Sequence, residues 1–228
     1  LPAAARRRHR RAALVSPAAA GPAAAIGTLW LVPAPLDLGT AATPLDEVLP
    51  RGVIRRAAAL AHWVAEDARS ARALLKRVHA VEPLALPLQA IQITELPRPR
   101  KGSREAVSAE AWKALLQPAL EGHDLGLISE AGLPAVADPG AALVAEAHLA
   151  GVPVLPLPGA SSLLLALAAS GLNGQSFAFV GYLPQEAAAR AARIKELEAL
   201  SRRLGQPQLV IETPYRNAAL LQALLAAL

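Results

Sequence analysis

Short apolar runs bounded by Gly and Pro alternate along the chain with longer stretches in which apolar positions recur every three or four residues. Thr28–Val32, Leu125–Ile128, Val152–Leu157, Phe177–Tyr182 and Leu209–Glu212 have the length and side-chain types of strands, and Leu88–Leu96 adds β-branched Ile91, Ile93 and Thr94. Ala57–Val64 reads as the second strand, although its alanines suit a helix equally. Helical spacing marks Ser70–Val78, where Ala71, Leu74, Leu75 and Val78 share a face, and Ser108–Leu120, which opens on a capping serine. Further helices are expected over Ala141–Ala150 closed by Gly151, from Ser161 or Ser162 to Ser170 closed by Gly171, over Glu186–Leu204 closed by Gly205, and over Tyr215–Leu228. The alternation predicts an α/β protein whose first half pairs its strands largely in parallel.

One stretch organises the rest: Asp124–Gly140, DLGLISEAGLPAVADPG. It reads as a strand, a bent loop and a helix start. Loops at the carboxyl ends of parallel strands are where open α/β sheets gather their ligands. Gly132 and Gly140 can take positive φ and let a ligand approach the backbone, and Pro139 suits a first helical position. A well-made strand-to-helix turn explains the same residues. Glu66-Asp67-Ala68-Arg69 is similarly two-sided: adjacent acids at a strand end can accept a proton or orient a hydroxyl, and acids also favour the positive start of a helix.

Other blocks accompany these two in a fixed order. Gly27-Thr28-Leu29-Trp30-Leu31-Val32-Pro33-Ala34-Pro35 precedes them; Pro158-Gly159-Ala160-Ser161-Ser162, Phe177–Pro184 and Ile211-Glu212-Thr213-Pro214-Tyr215-Arg216 follow. Over residues 27–228 this order resembles the S-adenosylmethionine-dependent methyltransferases of the tetrapyrrole-methylase superfamily, and within it the branch of ribosomal RNA small-subunit methyltransferase I. The resemblance implies a two-domain α/β fold. A mostly parallel sheet is expected in an N-terminal domain, 26–157, and a mixed sheet in a C-terminal domain, 158–228, that continues beyond the last residue. It also implies S-adenosylmethionine held by Pro33, Pro35, Glu130, Ala131, Gly132, Leu133, Pro134, Val136, Ser161, Ser162, Tyr182, Leu183, Thr213 and Pro214. Glu66, Asp67, Arg69, Glu212 and Arg216 take the catalytic positions, small-subunit rRNA is the partner, and the chain works as a homodimer. This sequence departs from the pattern at Glu130, an aspartate in the family, at Leu133 and Ala68, both threonines there, and at Leu36-Asp37-Leu38-Gly39.

Charge changes this picture little. The net charge is +5, but five arginines (Arg6, Arg7, Arg8, Arg10 and Arg11) lie in residues 1–25, which hold no acid, so 18 Lys and Arg balance 18 Asp and Glu in the remainder. That tail is expected to be a disordered, solvated extension; salt-sensitive contact with nucleic acid is the other reading. Arg98–Arg104 is the one dense basic loop of the folded part, suited to phosphate contacts or simply to solvent. Three Trp, two Tyr and two Phe offer few stacking platforms for single-stranded RNA. Without cysteine there is no disulfide or thiolate site, and the five histidines lack metal-ligand spacing, so no metal is expected. The chain has no methionine, so an amino terminus that is trimmed, processed or incompletely represented is expected. No apolar run is long enough to span a bilayer and no secretory signal is present, which points to the cytoplasm.

Methyl transfer from a sulfonium is an in-line displacement, so a protein performing it chiefly positions the acceptor and excludes water. A ribose hydroxyl acceptor also needs a group to take its proton, for which Glu66, Asp67, Glu130 and Glu212 are candidates; Arg69 and Arg216 could bind phosphate or orient those acids. Two other readings fit the same blocks: a methylase of a small tetrapyrrole-like acceptor, and a non-catalytic scaffold that binds S-adenosylmethionine.

Overall fold

The computed structural model describes residues 25–36, 43–97, 107–159 and 161–228. The basic tail, residues 37–42 and the cationic stretch Arg98–Arg104 lie outside them. Five strands, β1 (Leu29–Leu31), β2 (His62–Ala65), β3 (Gln92–Glu95), β4 (Leu125–Ile128) and β5 (Val154–Pro156), form one parallel sheet in the order β3-β2-β4-β1-β5. Helices α1 (Leu45–Val48), α2 (Arg51–Ala59) and α3 (Ala68–Val81) join β1 to β2 and β2 to β3. Helices α4 (Ala109–Leu115), α5 (Gln117–Leu120) and α6 (Ala141–Leu149) join β3 to β4 and β4 to β5.

Parallel pairing requires such crossovers, and each must bury an apolar face on the sheet. Val53, Ile54, Leu74, Leu75 and Val78 of α2 and α3 build one core with Trp63. Ala119, Leu143 and Ala147 of α5 and α6, with Leu116 between α4 and α5, build another with Leu125 and Leu127. The chain therefore leaves β1 toward one face and the adjacent β4 toward the other. That divergence is the topological switch point of an open α/β sheet.

Gly126 of β4 lies beside Trp63 of β2, and a Cβ there would sit 2.6 Å from Cε3 of the indole, which is 1% exposed. Gly126→Ala is expected to lower stability by about 1–3 kcal/mol, measurable by thermal unfolding, because the buried ring must shift.

Several boundaries differ from expectation. The second strand is not Ala57–Val64: Ala57 and Ala58 belong to α2, where they are buried beside Val53 and Ile54, and the strand starts at His62. Alanine is the best helix former, and packing decided in the helix's favour. The segment Leu88–Leu96 contributes only Gln92–Glu95 as strand. Ser108–Leu120 is two helices, because Pro118 has no N–H to continue the first ladder and instead sits in the opening turn of α5. Ser108 does cap α4, accepting from the Ala111 N–H at 3.2 Å. Pro139 is not the first helical residue: Gly140, at φ 128, is the N-cap of α6, and a Cβ there would meet Leu127 Cδ2 at 3.0 Å.

Beyond β5 come α7 (Ser162–Ser170), β6 (Ala178–Gly181), α8 (Ala187–Leu204), β7 (Gln208–Val210), a 3₁₀ turn (Pro214–Arg216) and α9 (Asn217–Ala227). β6 and β7 form a second sheet and pair in parallel; no antiparallel member of the expected mixed sheet is present among the described residues. Leu183, Ile194 and Leu197 anchor a third apolar cluster drawn from residues 180–227. Among the described residues no helix is long and apolar enough to cross a membrane.

Candidate active site

The bends that follow β1, β2, β4 and β5 meet at one edge of the five-stranded sheet. Pro33 ends β1 and is buried, and the next residue, Ala34, pairs with Gly132 in the loop after β4: the Ala34 N–H donates to the Gly132 carbonyl at 3.0 Å, and the Gly132 N–H to the Ala34 carbonyl at 2.7 Å. Gly159, after β5, lies against Pro33 so closely that a Cβ would fall 2.4 Å from the ring's Cγ. Glu66, after β2, accepts the Glu130 N–H at 3.2 Å, while its own N–H donates to Ile128 at 3.0 Å. Loops from four separate strands are thus tied across the switch point.

The loop Ser129–Gly140 is shaped by four residues of positive φ: Gly132 (78°), Ala135 (67°), Ala137 (62°) and Gly140 (128°). Left-handed backbone at alanine costs about 1–2 kcal/mol per residue, and such strain persists where the surroundings over-determine it. Open space surrounds Gly132, where a Cβ would find only Asp138 Oδ2, at 4.0 Å. The bend is therefore a backbone cradle that a side chain would fill, and this fits a bound nucleoside approaching the main chain. Leu36, Glu130 and Val136 stand exposed nearby. Two cavities lie elsewhere, one of about 390 Å³ at the amino ends of β2 to β4 and one of about 310 Å³ inside the third apolar cluster. The tied bends outweigh both as a cofactor site because close main-chain approach is available there, on an open face.

Asp67 is the N-cap of α3: it accepts from the Ser70 N–H at 2.8 Å and the Ser70 hydroxyl at 3.0 Å, and these bonds lower its carboxyl below the ordinary aspartate value. Glu95 adds a second acceptor, for the Ala68 N–H, at 2.9 Å. Asp67→Ala is expected to cost about 1 kcal/mol of stability. Because the folded value is depressed, the difference is present at neutral pH and vanishes as pH falls through that value, which thermal unfolding at several pH values would reveal. Arg69 is exposed and supports Asp67 electrostatically.

Asp138 was legible only as part of a helix start, yet it faces the cradle. Partial burial, then the nearby Glu130 charge, raise its carboxyl above the ordinary aspartate value, opposed by a bond from the buried Ser129 hydroxyl. That hydroxyl also donates to the Ala131 carbonyl at 3.1 Å. The folded state holds the Asp138 proton more tightly than the unfolded chain, so this group destabilises the protein as pH rises from the unfolded value through the raised folded one. Asp138→Asn is expected to melt above the wild type at neutral pH, with the gap closing on acidification.

Several other expected residues gather on the second sheet. Tyr182 and Leu183 follow β6 and Glu212 and Thr213 follow its partner β7, with the Ile211 N–H donating to Gly181 at 3.1 Å. Leu183 is buried in the third cluster, whereas Tyr182 is exposed rather than core. Glu212 accepts from the Thr213 N–H at 2.8 Å and hydroxyl at 3.2 Å, just ahead of Pro214. Arg216 reaches the Gln185 amide, whose oxygen, turned toward it, accepts at 2.8 and 3.2 Å. Ser161 is the buried N-cap of α7 but makes no side-chain bond to the helix, and Ser162 is its exposed first residue. In the loop after β4, Pro134 is buried and Ala131 and Leu133 are half-buried, and Pro35 continues the loop after β1.

Comparison with known proteins matches residues 51–228 to the family described as Tetrapyrrole (Corrin/Porphyrin) Methylases. The chain is 32% identical over 192 residues to ribosomal RNA small subunit methyltransferase I of Pseudomonas aeruginosa, covering 83% of this chain and 58% of that protein. It is likewise 32% identical over 190 residues to the protein of that name from Halalkalibacterium halodurans, covering 83% and 56%. Over 108 residues it is 44% identical to the Micromonospora olivasterospora protein of the same name, covering 47% and 33%. The matches with the first two span just over half of the relatives' length. With its parallel sheet and tied bends, the chain belongs to the tetrapyrrole methylase family.

Proposed function

We propose that the chain is an S-adenosylmethionine-dependent methyltransferase that acts on small-subunit rRNA, at a ribose 2′-hydroxyl. The observation that carries this reading is the Ala34–Gly132 pairing at the switch point, flanked by Gly159 on Pro33 and Glu66 on the Glu130 N–H. Pro33, Pro35 and residues 130–136 would hold the donor along the backbone, with Ser161 and Ser162 beside Gly159, and Tyr182, Leu183, Thr213 and Pro214 would contribute from the second sheet. The bound donor supplies a methyl group already activated by its sulfonium.

The chain's own residues then have two tasks. The tied loops fix the donor's position, since near-attack geometry can supply much of the rate enhancement. An acid at the cradle takes the hydroxyl proton; Glu66 and Glu130 stand at that edge, whereas Asp67 is engaged as a helix cap. Arg69, Glu212 and Arg216 serve the acceptor's orientation. The rRNA acceptor is supported by the names of the relatives, which outweigh a small tetrapyrrole-like acceptor.

The reading includes two structural units, 26–157 and 158–228, supported by a third apolar cluster that draws on residues 180–227 alone. It also includes a cytoplasmic homodimer, in which a second copy would cover exposed Leu164, Leu165, Leu221 and Leu225. Labelled-methyl transfer to small ribosomal subunits from cells lacking the protein tests the activity. Label in rRNA ribose is expected; label in a porphyrin-like acceptor alone, or donor binding without transfer to either, would replace this reading.

A further inference from the structure

The cavity of about 390 Å³ at the amino ends of β2, β3 and β4 has no part in the methyl-transfer reading. His62, Gln92 and Leu125 are the first residues of their strands, so the cavity lies at the opposite end of the sheet from Glu66, roughly 13 Å away at 3.3 Å per residue. Period-two alternation brings His62, Val64, Gln92 and Thr94 to one face of the sheet. Helices α4 and α5 close the other side with Leu115 and Gln117, and Glu121 and His123 complete it.

The lining chemistry is selective. Among the described residues it is lined by no Lys or Arg, so they offer a phosphate no countercharge. Among the described residues no group of three His, Asp or Glu is arranged to hold a metal ion. What it offers is flat and amphipathic. The imidazoles of His62 and His123 lie 5.0 Å apart, tilted by 34°, and Val64, Leu115 and Leu125 supply apolar contact. Around these surfaces stand hydrogen-bonding groups of both senses: the Gln92 amide, the Thr94 hydroxyl, and the Gln117 amide bonded to Glu121 at 2.7 Å.

We infer that this cavity is a second binding site for an uncharged nucleobase, stacked on the imidazole pair and bonded by its edge to Gln92 and Thr94. Unpaired bases are recognised by stacking on aromatic or imidazole rings with hydrogen bonds to their edges, and a cavity of this volume accommodates one. The base comes either from an unpaired nucleotide of RNA or from a free nucleoside. Its distance from the cradle makes it an anchoring site rather than the acceptor site.

The test is a titration of the full chain with adenosine, cytidine, guanosine and uridine, followed through the imidazole resonances of His62 and His123. At least one nucleoside is expected to shift both resonances saturably. That binding should weaken about tenfold in His123→Ala and in Gln92→Ala, both exposed positions, and persist both in Gly132→Val and with excess S-adenosylmethionine. A short unpaired oligoribonucleotide that binds more tightly than the nucleosides, and loses that advantage in His123→Ala, assigns the base to RNA; preference for the free nucleoside assigns it to a small molecule. Absence of a saturable shift, a shift indifferent to both substitutions, or displacement by S-adenosylmethionine overturns the site. None of these readouts depends on methyl transfer, so they stand or fall apart from the proposed activity.

Discussion

Gly132→Val is expected to abolish S-adenosylmethionine binding while leaving the protein folded. Gly132 sits at φ 78 and carries both bonds that tie the loop after β4 to Ala34. The space where its Cβ would stand is open, with Asp138 Oδ2 the nearest atom at 4.0 Å, so a branched side chain would clash with no core atom and would instead fill the cradle. Left-handed backbone at a side-chain-bearing residue costs about 1–2 kcal/mol, which a domain of normal stability withstands. Calorimetric titration should show no heat of binding, and circular dichroism an unchanged spectrum with a lowered melting temperature. Gly132→Ala, with a smaller side chain, should bind weakly. Wild-type affinity in the valine variant would remove this bend from the donor site.

Glu66→Gln is expected to reduce methyl transfer about a hundredfold, the lower range for losing a positioned general base. The substitution keeps a side-chain oxygen able to accept the Glu130 N–H, so the tie between the loops after β2 and β4 survives and the donor's affinity should hold. Loss in kcat with unchanged donor affinity and unchanged melting temperature would mark a group acting on the acceptor's proton. Full activity in this variant, with reduced activity in Glu66→Ala, would show that Glu66 only fastens the loops. Asp67 separates from it cleanly: Asp67→Ser preserves a capping oxygen at the start of α3, so retained activity there would confirm the cap as its whole contribution.

The pattern of the chain was sufficient for the alternation of strands and helices, since apolar periodicity follows directly from which face of an element is buried. Capping chemistry was local enough to read at Ser108, and helix termination at Gly151, Gly171 and Gly205, all of which adopt positive φ. It was not sufficient at Ala57–Val64, because an alanine-rich run carries little periodicity and the choice between helix and strand fell to packing against Val53 and Ile54. Pro118 marked the break between α4 and α5 in plain view, but the run of apolar positions around it masked the signal.

Sequence alone determined the family, the parallel α/β class and the identity of the bends, because these are carried by residue types in order along the chain. Only the tertiary structure decided which bends meet. The pairing of Ala34 with Gly132, the seating of Gly159 on Pro33 and the reach of Glu66 to Glu130 join positions far apart in the chain. Strand order sets these contacts, and strand order is a global minimum over all crossovers rather than a property of any one segment. The same holds for Asp138 and for the paired imidazoles of His62 and His123: burial and proximity give these residues their chemistry, and neither exists until the sheet is assembled.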